Sequence, residues 1–315
     1  MRRVLVGFGV GLLWILCRMV ALLPYRIQYG PLTRFVAFLF RDVFRYRRKL
    51  ILMQLHDSFP EYDQMHILSI CNKYYDTLSE TVINTLTLAG MSDKERERRV
   101  FYHGIGNVRE VAKGRDVVVL TSHYGFWEYH IFASLRFSST HFLAVAYHTI
   151  KSKVIDTLYA RLRRMDSVGV LRSEEILRFY LNWRSSNQQR NVVLGLIADQ
   201  NAATNIDNPH WYTFLNHKTL FFEGGERLAM KYHLPVYYVE LNRTRAGYYN
   251  CFYHLIYDGE EKVDRFQITQ RYVTLLENTI RRRPELWMWS HNRWKYKEDP
   301  LTGKAYRYDV IRDRR

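Results

Sequence analysis

Cysteine is scarce and scattered in this chain. The three thiols, Cys17, Cys71 and Cys251, are odd in number and far apart, which excludes a disulfide framework and any C-x-x-C zinc or redox pair, and points to a reducing compartment. Glycine and proline number only 16 and 7 among 315 residues. No Pro-, Gly- or Ser-rich linker and no internal repeat is present, so one main domain is expected. Acidic residues are outnumbered: 47 Lys and Arg stand against 31 Asp and Glu, for a net charge of +16 with His neutral. The signatures G-x-x-x-x-G-K-[ST], G-x-S-x-G and H-E-x-x-H are all missing, and no spacing implies a metal or a cofactor.

What the chain does have is apolar surface and positive charge. Hydrophobic residues make up 47% and aromatics 15%, enough to exclude a disordered or low-complexity chain. The charge calls for an anionic partner, whether nucleic acid, an anionic lipid surface or a phosphorylated substrate. Residues 4–17 form an unbroken apolar run, VLVGFGVGLLWILC, which continues past Arg18 to Leu23. That length matches a membrane span if Arg18 snorkels toward a headgroup. Only Arg2 and Arg3 precede the run, whereas Arg18, Arg26, Arg34, Arg41, Arg45, Arg47, Arg48 and Lys49 follow it. The bias places the body of the protein in the cytoplasm, on a transmembrane anchor. A cleaved signal peptide is the competing reading, but no small-residue pair suits cleavage near residues 17–25. An apolar core helix is the third.

Residues 33–50, TRFVAFLFRDVFRYRRKL, set Phe35, Phe38, Leu39 and Phe44 at helical spacing among arginines. Such a basic amphipathic helix suits an anionic membrane surface; a docking helix with a solvated basic face is the alternative. With no zinc-finger spacing and an apolar anchor alongside, lipid fits better than nucleic acid.

Residues 64–89 read as a long amphipathic core helix. Beyond Asp93 the pattern changes to short apolar runs at 116–121, 142–146, 192–198, 235–239 and 248–253. Helical stretches separate or follow them at 126–137, 153–165, 173–185, 222–232 and 269–282. This alternation predicts an α/β fold, a mixed and mostly parallel sheet flanked by helices, with functional residues at strand ends. The expected divisions are a membrane anchor at 1–25, a helical membrane-surface section at 26–95 and a core at 96–315.

One strand end carries chemistry. In Thr121-Ser122-His123-Tyr124-Gly125-Phe126-Trp127-Glu128 an apolar strand delivers a histidine, Gly125 permits a tight turn and a helix begins near Trp127. Glu128, in its first turn, is placed to accept the Nδ1–H of His123 and leave Nε2 free to take a proton from an alcohol. Ser122 points to the opposite face and is no nucleophile for this histidine. The chemistry suggested is direct attack by a bound hydroxyl. A strand-end histidine satisfied by backbone is the structural alternative.

Four stretches together resemble the late acyltransferase family of lipid A biosynthesis, relatives of the glycerolipid acyltransferases that share an H-x4-[DE] motif. They are Asp57-Ser58-Phe59-Pro60-Glu61, His123 to Glu128, Ala198-Asp199-Gln200, and Trp287-Met288-Trp289-Ser290-His291-Asn292-Arg293-Trp294-Lys295. The resemblance runs from the N-terminus to about Lys295. It implies transfer of a fatty acyl chain from an acyl carrier protein thioester to a hydroxyl of a lipid A precursor, at the cytoplasmic face of the bacterial inner membrane. His123 would be the general base and Glu128 its orienting partner. A substrate-binding arginine would come from Arg161, Arg163 and Arg164, with Arg164 favoured, and Asp199 matches the family's second acidic position. Two positions depart from the pattern: Phe126 stands where many members carry Asn, and Asn292 where a second Arg is frequent. The competing readings are an acyltransferase acting on another glycolipid, such as a phosphatidylinositol mannoside, and a non-catalytic membrane-surface protein.

Overall fold

In a computed structural model of the chain, residues 2–137, 139–186, 189–200 and 206–308 are described. The strands are β1 (Val100–His103), β2 (Val117–Thr121), β3 (His141–Tyr147), β4 (Val168–Arg172), β5 (Asn191–Ile197), β6 (Tyr212–Phe214), β7 (His217–Thr219), β8 (Val236–Arg245), β9 (Tyr248–Tyr257), β10 (Tyr296–Glu298) and β11 (Ala305–Arg307). Seven of them form one sheet in the order β1-β9-β8-β2-β5-β3-β4. Every pairing in it is parallel except the β8–β9 hairpin. The mixed, mostly parallel sheet expected from the alternating pattern is present.

β2 explains why the sheet has helices on both sides. All five residues of VVVLT are buried, as a strand in the middle of a parallel sheet requires. Side chains alternate between faces. Val118 and Leu120 enter one core with Leu194, Leu196, Tyr272 and Leu276. Val117 and Val119 enter a second with Val193, Phe132, Leu158 and Tyr237. The first core also takes Ile51, Leu55, Phe59 and Ile67 from the N-terminal helices, so those helices are packed into the body of the fold.

The long amphipathic helix appears as Gln64–Thr87, capped where the Asp63 side chain accepts the His66 N–H. The expected single helix over 33–50 is broken. Helical turns at Thr33–Phe38 and Leu39–Val43 are followed by left-handed residues Arg45 and Arg47, and a new helix starts at Arg48–Ser58. One local and one tertiary bond end the first helix: Tyr46 N–H donates to the Phe40 carbonyl, and the Tyr75 hydroxyl donates to the Tyr46 carbonyl at 2.9 Å. The edge strands β1 and β4 went unforeseen, being short and only partly buried.

These N-terminal helices grip the C-terminal strap of residues 284–294. Gln54 uses its whole amide there: Nε2 donates to the carbonyls of Trp289 and His291 at 2.8 and 2.9 Å, and Oε1 accepts the Arg293 N–H at 2.8 Å. Tyr74 Oη donates to Ser290 Oγ at 2.7 Å and accepts the Ser290 N–H at 3.0 Å. Replacing Gln54 by Leu strands one donor and two acceptors in the interior. At about 1 kcal/mol or more for each, Gln54→Leu is expected to lower the stability of the full-length protein by about 3 kcal/mol, measured by denaturant melts in detergent.

Candidate active site

The site is built by register. β2 and β5 are parallel neighbours with Thr121 opposite Ile197. Two residues further along each chain, the same register brings His123 beside Asp199. Asp199 Oδ1 lies 2.7 Å from His123 Nδ1, and its Oδ2 accepts the His123 backbone N–H at 2.9 Å. A carboxylate only accepts, so Nδ1 carries the proton and Nε2 is the basic nitrogen. Among the described residues Nε2 has no hydrogen-bond partner, and the imidazole side chain keeps 17% of its surface exposed.

Asp199 is almost completely buried. Burial alone would push its carboxyl up. The His123 imidazole outweighs this together with the donors from His123 and from Trp287, whose Nε1 gives to Oδ2 at 2.8 Å, and the group is held below the usual carboxylate range. The strap also fixes the turn itself, since Gly125 N–H donates to the Leu286 carbonyl and Met288 N–H to the His123 carbonyl. Gly125 has φ +63°, and a side chain there would come within 2.8 Å of the Tyr249 ring. Only glycine turns the chain here at no cost. Phe126 is fully buried and packs edge-on against Tyr129.

Glu128 is not where the sequence placed it. The Nδ1 of His123 is already taken by Asp199. Glu128 instead receives a two-pronged grip from Arg163, with Nε to Oε2 at 2.7 Å and Nη2 to Oε1 at 2.6 Å. The reason is local: Trp127–Ala133 is a 3-10 helix, and its first turn sends the carboxylate down toward β3 and the Lys153–Leu162 helix. The pair is largely buried. Burial works against the Arg163 charge, yet the bonds to Glu128 and its charge hold the guanidinium above its ordinary range. Of the arginine cluster, then, Arg163 meets the motif. Arg164 is exposed and lines an adjoining cavity with Arg163 and Tyr147. Arg161 stacks on the Trp14 ring, 3.7 Å from its centre.

Next to the pair lies a crevice of about 650 Å³, counting the part open to solvent. Its sheet side is Val119, Val145, Val193 and Gly195. Its other side includes Trp127, Ile131 and Phe137, with Glu128 and Arg163 the charged members. His130, also on the wall, is pushed down to about 4 by burial and is neutral at neutral pH. Trp127 joins the crevice to the base, its ring 4.9 Å edge-on from the His123 imidazole. In the C-terminal stretch, burial lowers His291 to about 4 and Arg293 to about 10. Arg293 is spent inside the protein, donating to the Leu220 carbonyl at 2.6 Å and lying over Phe221. Among the described residues no cluster of His, Cys, Asp and Glu is arranged to hold a metal ion.

The sequence model of the family described as bacterial lipid A biosynthesis acyltransferase matches residues 1–296. No curated protein matches the chain.

A depressed pKa has a definite sign in stability. The ionised, bonded Asp199 stabilises the fold above the unfolded carboxyl value of about 4, and that contribution is lost as pH falls through the lower folded value. The stability gap between the parent protein and Asp199→Asn is therefore expected to be widest above about pH 4 and to close at lower pH, as read from denaturant melts across pH. A gap that does not change with pH contradicts the ionised, hydrogen-bonded state.

Proposed function

The chain belongs to the bacterial lipid A biosynthesis acyltransferases, and from that membership we propose that it moves a fatty acyl group from an acyl carrier protein thioester to a hydroxyl of a lipid A precursor. As a family member it is an enzyme, an acyltransferase with a lipid A-type acceptor. The observation that carries the finer reading is the His123–Asp199 pair: a partly exposed imidazole with a buried carboxylate on Nδ1 and a free Nε2, beside an apolar crevice.

His123 Nε2 takes the proton of the acceptor hydroxyl as that oxygen bonds to the thioester carbonyl carbon. The tetrahedral adduct then collapses, the carbon–sulfur bond breaks, and the thiolate leaves with the proton from Nε2. Asp199 orients the ring and stabilises the imidazolium that forms between the two steps. Glu128 acts through Arg163: the bidentate grip fixes the guanidinium on the crevice wall, where its charge favours the oxyanion of the adduct. Arg164, exposed beside the adjoining cavity, is left for an anionic group of the acceptor. The crevice takes the acyl chain, at about 0.8 kcal/mol per buried CH₂.

The acceptor is an amphiphile met at a bilayer, and the basic, apolar N-terminal section suits an enzyme held at the cytoplasmic face of the bacterial inner membrane, on an anionic lipid surface. The carrier protein is acidic as a class, so part of the +16 charge serves its approach.

Three variants test this in purified protein with an acyl carrier protein thioester and a lipid A precursor. His123→Ala is expected to lose about 10²–10⁴-fold in transfer rate with unchanged circular dichroism; full activity rules the mechanism out. Glu128→Ala is expected to lose activity and about 3–5 kcal/mol of stability as well, because it leaves the Arg163 charge buried and unpaired. Val145→Phe places a ring on the sheet side of the crevice, and the product mass is expected to shift to shorter chains while His123 chemistry persists. An unchanged chain-length profile removes the crevice from the reading.

A further inference from the structure

By length alone the Arg2–Leu22 helix reaches across a bilayer. Its 21 residues rise about 31 Å, against a hydrocarbon core of about 30 Å. Its packing points elsewhere. One side of the helix lies against the protein over more than half its length. A side chain on Gly9 would meet Val154 at 3.3 Å, and one on Gly90 would come within 2.5 Å of Ala21. Between those points Trp14 carries Arg161 on its ring, Cys17 is fully buried, and Arg18 donates to the Ala89 carbonyl at 2.9 Å. The other side is bare. Leu5, Phe8, Leu12, Ile15, Met19 and Leu22 are all exposed, and their alternating spacing of three and four makes them one continuous stripe.

Trp14 lies at the centre of the apolar window Leu5–Leu22, and Gly9 is about 7 Å from that centre along the axis. In a spanning orientation, whatever packs on them would sit near the middle of the bilayer. What packs on them is the Lys153–Leu162 helix, which bears Lys153, Asp156 and Arg161 and is entered through the irregular backbone of residues 148–152. Hydrocarbon tolerates neither the charges nor an open backbone. Spanning would also require Arg2 and Arg3 to cross.

Building on the membrane-bound reading above, we infer that this helix does not cross the bilayer but lies in the plane of the cytoplasmic leaflet. Its covered side rests on the Lys153–Leu162 helix and the turn at Leu88–Gly90, and its bare stripe enters the acyl region of the lipid. The lipid-facing surface continues through exposed Tyr25, Ile27, Phe35, Phe38 and Phe44. Exposed Arg26, Arg34 and Arg45 rim it, and no acidic residue precedes Asp42. That composition fits an interface with anionic headgroups, with bulky apolar side chains below and guanidinium groups at the level of the phosphates.

The two orientations put the N-terminus on opposite sides of the membrane. Arg3→Cys in the full chain, treated with a membrane-impermeant maleimide, separates them. The native thiols are all buried, so the parent protein is the blank. Labelling is expected to be at least tenfold higher in inverted inner-membrane vesicles than in intact spheroplasts. The opposite ratio puts the N-terminus outside and overturns the inference. Acyl transfer is measured on the same vesicles. Active vesicles whose Arg3→Cys protein is labelled only in spheroplasts, from the periplasmic side, overturn the in-plane orientation alone, whereas inert vesicles labelled on their cytoplasmic face support it and count against the reaction.

Discussion

A carboxylate with almost no access to water has to be surrounded by donors, and the architecture around Asp199 follows from that constraint. Three N–H groups converge on it: the imidazole and backbone of His123 and the indole of Trp287. The three residues involved come from different parts of the fold. The histidine arrives on β2, the aspartate on β5 and the tryptophan on the strap. Parallel pairing of β2 with β5 sets the first contact, and the strap is held in turn by Gln54 and Tyr74 from the N-terminal helices. The helical section is thus part of what fixes the base, although none of its side chains bonds to His123 among the described residues.

The second acid, Glu128, solves a different problem. Five residues after His123 it lies close in sequence, yet its carboxylate is turned into the gap between the Trp127–Ala133 turn and the Lys153–Leu162 helix, where Arg163 meets it with two parallel bonds. Two buried acids beside one histidine would repel each other and raise each other's pKa. Pairing one with the imidazole and the other with a guanidinium keeps both charges compensated. In the proposed mechanism it also separates their work into orienting a base and presenting a cation.

Much of this was legible in the chain and some was not, for physical reasons. The strand DVVVLT and its histidine stand out because a doubly buried strand must be apolar throughout, so the point where polarity returns marks the strand end. VVLGLIA followed by Asp199 carries the same mark, and the match of the two, each acid or base two residues past its strand, was the available hint of pairing. Sequence distance favoured Glu128 over Asp199 because register between strands far apart in sequence leaves no local trace. The choice among Arg161, Arg163 and Arg164 was open for a similar reason: all three sit near the end of one helix, and only the placement of neighbours sends one to Trp14, one to Glu128 and one outward. Trp287 stands in a tryptophan-rich stretch and is buried; its single polar atom is what the pattern of apolar residues conceals.

The competitor of any hydroxyl acceptor is water, and the geometry bears on that contest. A thioester next to an activated base hydrolyses unless water is kept from the base while the acceptor is admitted. Here the imidazole has one face partly open, with Trp127 edge-on and the apolar crevice alongside. In the proposed reaction, an acyl chain filling that crevice would remove the space from which water approaches. An amphiphilic acceptor brought along a lipid surface presents its hydroxyl from the remaining side, already poor in water. The N-terminal helix packs on the Lys153–Leu162 helix, which ends one residue before Arg163, so the in-plane orientation inferred above would hold that element at the membrane surface. On that proposal attachment and catalysis would share one helix, and the depth at which the protein rides in the interface would set where the guanidinium and the imidazole meet the lipid.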